Sequence, residues 1–195
     1  GDFQFQTIGN TEISFTYDWD IFKNFMGIDF KNLPTSDLNI RSSPTEFFNF
    51  NISYEWGKDL AYNEEIPEKG KLKTFSIYTS FQINENLNIS GLLNYSELKN
   101  LETLEDYFSG NIFRLTTRYQ FSNFLNLRLI AEKNTFNKSF FIQPLVQWNP
   151  NPSTIFYLGG NQNTDLEIDE EIIPLLKFRR SQIFFKFQYL IGLKK

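Results

Sequence analysis

Gln182-Ile183-Phe184-Phe185-Lys186-Phe187-Gln188-Tyr189-Leu190-Ile191 stands near the end of the sequence. Side chains alternate across a β-strand, so Ile183, Phe185, Phe187, Tyr189 and Ile191 point one way and Gln182, Phe184, Lys186, Gln188 and Leu190 the other. The first face is wholly apolar. An aromatic terminal strand of this kind is the expected closing strand of a transmembrane β-barrel, where no unpaired backbone edge can meet lipid.

The same alternation recurs upstream. Over residues 11–21, Ile13, Phe15, Tyr17, Trp19 and Ile21 oppose Glu12, Ser14, Thr16, Asp18 and Asp20. Over residues 46–57, Phe48, Phe50, Ile52, Tyr54 and Trp56 oppose Asn49, Asn51, Ser53 and Glu55. Residues 74–83 and 87–96 form a predicted hairpin, with Ile83 opposite Leu87 and Phe75 opposite Tyr95. A second hairpin, residues 111–121 and 125–133, sets Phe121 against Leu125, Tyr119 against Leu127 and Arg114 against Glu132. Strands follow at 139–148 and 154–160, the first interrupted by Pro144, which belongs at an edge or a bulge. Residues 22–45, with Pro34, Pro44 and many Asn, Asp and Ser, are predicted as loop around a short strand at 25–30. The turns at 84–86, 122–124 and 149–152 are short and share one end. The connections at 58–70, 97–109 and 161–179 are long and share the other, the asymmetry of outer-membrane barrels.

Composition bounds the function classes. The 195 residues fit one β domain, and a net charge of -4 offers no basic footprint for nucleic acid. The sequence contains neither Cys nor His, which removes disulfides, thiol nucleophiles, Ser-His-Asp chemistry and the commonest zinc ligands. Ordinary hydrolysis is disfavoured, and no cofactor is expected. No run of 18 or more apolar residues exists, so no transmembrane helix is predicted.

Alternation alone also suits a soluble sandwich or a lipocalin-like barrel binding an apolar ligand. Three features favour the membrane. The strands run to about ten residues, the length that crosses a bilayer at a tilt. The apolar faces are free of charge, whereas the opposite faces carry Asp18, Asp20, Glu55, Arg114, Arg118, Arg128, Glu132 and Lys186, the expected lumen lining. Trp56 and Tyr95 near the long loops, with Tyr119, Trp148 and Tyr189 near the short turns, make two interfacial aromatic belts. The fold class predicted is all-β: an antiparallel transmembrane barrel of about ten strands, or the C-terminal part of a larger one. Residues 1–195 are taken as a single barrel domain or barrel segment.

Other candidate sites are weaker. Phe47, Tyr78, Phe141, Phe156 and Phe184 are placed on the lumen side, where they fill space or stack on sugars. Asp165, Glu167, Asp169, Glu170 and Glu171 form an acidic run without the spaced glycine pattern of a calcium loop. Ser96 and Lys99 match S-x-x-K by chance, and the Asn-x-Ser sites at Asn51, Asn88 and Asn94 follow from polar strand faces. No catalytic or metal residue is assigned.

Leu115-Thr116-Thr117-Arg118-Tyr119-Gln120-Phe121, residues 143–159 around Gln147-Trp148-Asn149-Pro150-Asn151-Pro152, and Phe184-Phe185-Lys186-Phe187-Gln188-Tyr189-Leu190 carry a family resemblance. The last third of the chain resembles the C-terminal barrel domain of unknown function in Bacteroidota outer-membrane proteins whose N-termini are similar to carbohydrate-binding family 9. That resemblance implies a larger parent barrel, no established catalytic residues, and a location in the outer membrane of a Gram-negative bacterium. It implies membrane lipid as a partner, and other outer-membrane proteins or a carbohydrate-binding domain of the same chain as further ones. A channel, a surface-domain anchor or an assembly component are the expected roles. The protein is expected to need detergent; partitioning between buffer and micelles checks this, and a monodisperse monomer in buffer alone contradicts it.

Overall fold

The computed structural model describes residues 1–7, 10–19, 22–62, 67–167 and 175–191. Its strands are β1 (Asp2–Thr7), β2 (Thr11–Asp18), β3 (Lys23–Phe25), β4 (Ile28–Phe30), β5 (Thr35–Thr45), β6 (Phe48–Ala61), β7 (Glu68–Asn84), β8 (Leu87–Asn100), β9 (Asp106–Ser122), β10 (Leu125–Asn134), β11 (Ser139–Asn151), β12 (Thr154–Glu167) and β13 (Leu175–Tyr189). Eleven of them form one sheet in the order β1-β2-β5-β6-β7-β8-β9-β10-β11-β12-β13, and β3 and β4 form a separate hairpin. Among the described residues no helix is long and apolar enough to cross a membrane.

Two compact units divide the chain, residues 1–79 with 92–112 and residues 80–91 with 113–195. In the first, antiparallel pairing sets Phe15 opposite Leu38 and Leu38 opposite Tyr54, with Ile13, Ile40 and Ile52 in the next row but one. The intervening row is polar, Ser14, Asn39 and Ser53, and so is the row on the other side of Phe15, Thr16, Asp37 and Glu55. Directly opposed residues share a face, so apolar and polar rows alternate between the two sides of the sheet.

Residues 22–45, predicted as loop around a short strand at 25–30, contain the hairpin β3–β4 where that strand was expected and the eleven-residue β5 where loop was. The sequence of β5 is poor in β-formers; pairing with β2 on one side and β6 on the other supplies what propensity does not. Pro44 sits where the β5–β6 register shifts between Ser42 and Thr45, a bulge that needs no donor from it. The β3–β4 turn uses Met26 and Gly27, both with positive φ, as a tight two-residue hairpin requires. Phe30, Leu33 and Leu60 form a small buried core beneath it, with Phe25 against its edge and the Phe25 ring 4.9 Å from that of Tyr62. The long connections are shorter than predicted, because β6, β8 and β12 continue to Ala61, Asn100 and Glu167.

In the second unit β10, β11, β12 and β13 pair in unbroken succession. Pro144 lies inside this sheet and not at its edge; it opposes Leu129 of β10, while the β11–β12 partners skip from Ile142 to Leu145. The missing donor is absorbed by a local gap in one ladder.

Replacing Leu33, which has no exposed surface, by Ala removes most of the hairpin core's apex. The expected loss is about 2–5 kcal/mol. It should appear as faster limited proteolysis within residues 22–34, with the sheet's far-ultraviolet circular dichroism unchanged.

Candidate functional site

The strand registers assemble two faces of opposite character. On the apolar face of the second unit, Leu125, Trp148, Phe156 and Phe187 form one row, and Leu127, Val146, Leu158 and Phe185 the next. The Trp148 and Phe156 rings stack at 5.2 Å, and Phe156 lies 5.1 Å from Phe187. Phe156 therefore lies on the apolar face and not, as expected, on the polar one. The cause is a one-residue shift between Trp148 and Asn151, which inverts the facing of every residue after the turn. Phe47 is also misplaced, since it lies in the turn between β5 and β6.

These apolar residues are not covered. Ile183 is 82% exposed and Phe185 66%, and Phe121, Trp148, Leu158, Phe187 and Tyr189 are exposed as well. Buried apolar side chains number only six among the described residues, Phe30, Leu33, Leu60, Ala61, Leu72 and Leu98, too few for the core of a soluble sandwich of this length.

The polar face of the same unit has rows of its own. Asn126, Gln147, Tyr157 and Lys186 make one, with the Lys186 ammonium 5.7 Å from the Tyr157 ring centre. Arg128, Leu145, Gly159 and Phe184 make the next. Phe184 packs over Gly159, where a Cβ would meet its ring at 2.5 Å, so this aromatic fills space on the polar side as expected. Glu132 opposes Phe141 in a further row. The predicted Arg114–Glu132 contact is present: Nε and Nη2 of Arg114 each stand 2.5 Å from Oε2 of Glu132, whose side chain is buried. Arg118 and Arg128 line a pocket of about 350 Å³ together with Gln82, Asn88, Asn126 and Gln147. Asn88 donates to Gln82 and to Ser80, each at 3.1 Å, so amides and hydroxyls tile this wall.

In the first unit Glu55 opposes Asp37, and Ser53 donates to Asp37 at 3.2 Å. Asp18 is exposed at the end of β2, and Asp20 lies outside the described residues, as does the acidic run from Asp169 to Glu171. Trp56 packs on Tyr54 at 5.1 Å and on Phe15 at 6.0 Å. Tyr95 donates to Glu97 at 2.7 Å. Beyond Tyr95 the apolar face becomes charged: Glu97 is buried between Lys73 at 3.1 Å and Lys99 at 3.6 Å, and Lys99 reaches Asp106 at 3.5 Å. Ending the strand at Ser96 hid this network, although the alternation itself runs on to Asn100. Ser96 and Lys99 stand on opposite faces of β8, and Ser96 pairs with Thr74, so they form no nucleophile–base pair.

Lys23, outside the main sheet, binds Asp59 at 2.6 Å and ties the β3–β4 hairpin to β6. Its burial lowers the ammonium pKa, but the bond to Asp59 and that carboxylate's charge outweigh burial, and the net shift is upward. A raised lysine pKa contributes stability below the ordinary lysine value, lost only as pH climbs through the raised one.

No protein-family model matches the sequence, and no curated protein matches it either. Among solved structures, the anion-selective porin from Comamonas acidovorans is similar, with a TM-score of 0.60 at 13% identity, over 96% of this chain and 54% of that one. The fold is that of a porin-type antiparallel β-barrel. The chain spans about half the length of that porin. Such a barrel crosses a bilayer with its strands, and β6 to β13 run from 10 to 17 residues, at or beyond the length a crossing takes.

The Arg114–Glu132 pair is half open to solvent on the arginine side, so its coupling is modest. A double-mutant cycle with Arg114→Leu and Glu132→Leu, followed by denaturant unfolding in micelles, should return about 1 kcal/mol. A coupling of zero removes the pair as a stabilising contact.

Proposed function

We propose that this chain contributes the wall of a non-enzymatic outer-membrane channel in a Gram-negative bacterium, with its polar face towards a water-filled lumen. The observation that carries the proposal is the pairing of an exposed aromatic face with a continuous face of amides, hydroxyls and charges on the same strands. Soluble sandwiches bury the first of these faces, and lipid-binding cups have apolar interiors in place of the second. In this arrangement Arg114, Arg118, Arg128, Glu132 and Lys186, with Asp18 and Glu55 from the first unit, line the aqueous path. Trp56 and Tyr95 mark one membrane interface, and Tyr119, Trp148 and Tyr189 the other, with lipid as their partner.

The charge switch beyond Tyr95 supports the position of the first interface. Glu97, Lys73 and Lys99 occupy the same side of the sheet as the apolar band, which only water or headgroups tolerate. Arg118 and Arg128, which have no carboxylate partner among the described residues, favour a lumen hospitable to anions, the selectivity named for the structurally similar porin.

The full-length protein, reconstituted in planar bilayers, should show stepwise ohmic conductance with a reversal potential shifted towards the anion equilibrium value in a salt gradient. A silent bilayer together with a tight co-purifying partner would overturn the channel in favour of an anchor or scaffold.

A further inference from the structure

The Arg114–Glu132 contact fixes how β9 and β10 face each other. Counting four residues from it towards the turn on each antiparallel strand brings Arg118 opposite Arg128 on the polar face. Like charges set directly across a ladder repel, and the arrangement persists only if something of opposite sign or ample water offsets it. Glu132 is committed to Arg114, and among the described residues neither Arg118 nor Arg128 has a carboxylate partner. The Nε of Arg128 is buried and has no hydrogen-bond partner among the described residues. Arg118 and Arg128 line the same pocket of about 350 Å³, where the amides of Asn126 and Gln147 add neutral N–H donors. Glu85, exposed in the β7–β8 turn, is the one acidic residue at its rim among the described residues.

We propose that Arg118 and Arg128 together bind a small oxyanion, phosphate or carboxylate, held between two guanidinium forks and the flanking amides. Arginine suits such a ligand because its planar N–H pairs match two oxygens at once, and a charge-assisted bond at Nε satisfies a donor that is otherwise orphaned. Glu85 opposes entry by charge and sets a limit on affinity. The inference rests on the polar face being open to solutes, as in the channel proposed above, but it assigns a discrete saturable site where a channel needs only a charged wall.

The test uses the full chain in micelles, titrated by calorimetry with inorganic phosphate and, separately, with acetate, against a chloride background. Saturable binding is expected, weakened at least about tenfold in Arg118→Gln and in Arg128→Gln. Lys138→Gln, an exposed cation in the β10–β11 turn and outside the pocket, should leave it unchanged, and Glu85→Gln should tighten it. The two titrants tell phosphate from carboxylate preference. Arg118→Lys and Arg128→Lys keep the charge and lose the fork, so they should weaken binding less than the Gln variants. Absence of saturable binding of either anion to the wild-type chain, or equal binding by the double Gln variant with unchanged circular dichroism, overturns the site. A silent bilayer with intact anion binding removes the channel and keeps the site, whereas a conducting protein without binding does the reverse.

Discussion

In an antiparallel ladder, residues that stand opposite one another lie on the same side of the sheet, and every feature of this chain depends on that parity. Once Leu127 faces Val146 and Val146 faces Leu158, the row to Phe185 is fixed, and so is the polar row next to it. A single extra residue inverts the assignment downstream. The shift between Trp148 and Asn151 is such a step, and it moves Phe156 into the aromatic row with Trp148 and Phe187. The backbone thus decides which residues share the apolar face and which the polar one, before any side-chain energy enters.

The faces differ in how they stabilise themselves. The apolar side gains little within the chain, since Ile183, Phe185 and Phe187 remain exposed; in the proposed channel wall it is hydrocarbon that covers them. The polar side is held by local bonds such as Ser76 to Asn94 at 2.6 Å and Arg114 to Glu132. Beyond Tyr95 the apolar side takes on the same chemistry, with Glu97 gathering Lys73, Lys99 and the Tyr95 hydroxyl. The β3–β4 hairpin is the exception, a small conventional core of Phe30, Leu33 and Leu60 clipped down by Lys23 and Asp59.

Alternation along the closing stretch, in residues 11–21, in residues 46–57 and in the two central hairpins sufficed to give the all-β class, the polarity of each face and the Arg114–Glu132 pair, because those properties are local or follow from a short turn. It did not suffice at β5, whose Asp37, Asn39, Arg41 and Pro44 read as loop until β2 and β6 bracket it. It failed at β12 as well, where Ile155 and Tyr157 on one face are as apolar as Phe156 and Leu158 on the other, so that no pattern chooses between them.

The sequence by itself therefore determined the alternating chemistry of the strands and the exclusion of thiol and imidazole catalysis, since composition and a period of two are properties of the chain alone. Only the tertiary structure decided which strands are neighbours and where a bulge resets the facing. It alone joined Lys23 to Asp59 and set Gln82 and Gln147 around the arginines of one hairpin in a single pocket, because each depends on segments brought together by backbone pairing and not on anything a single strand contains.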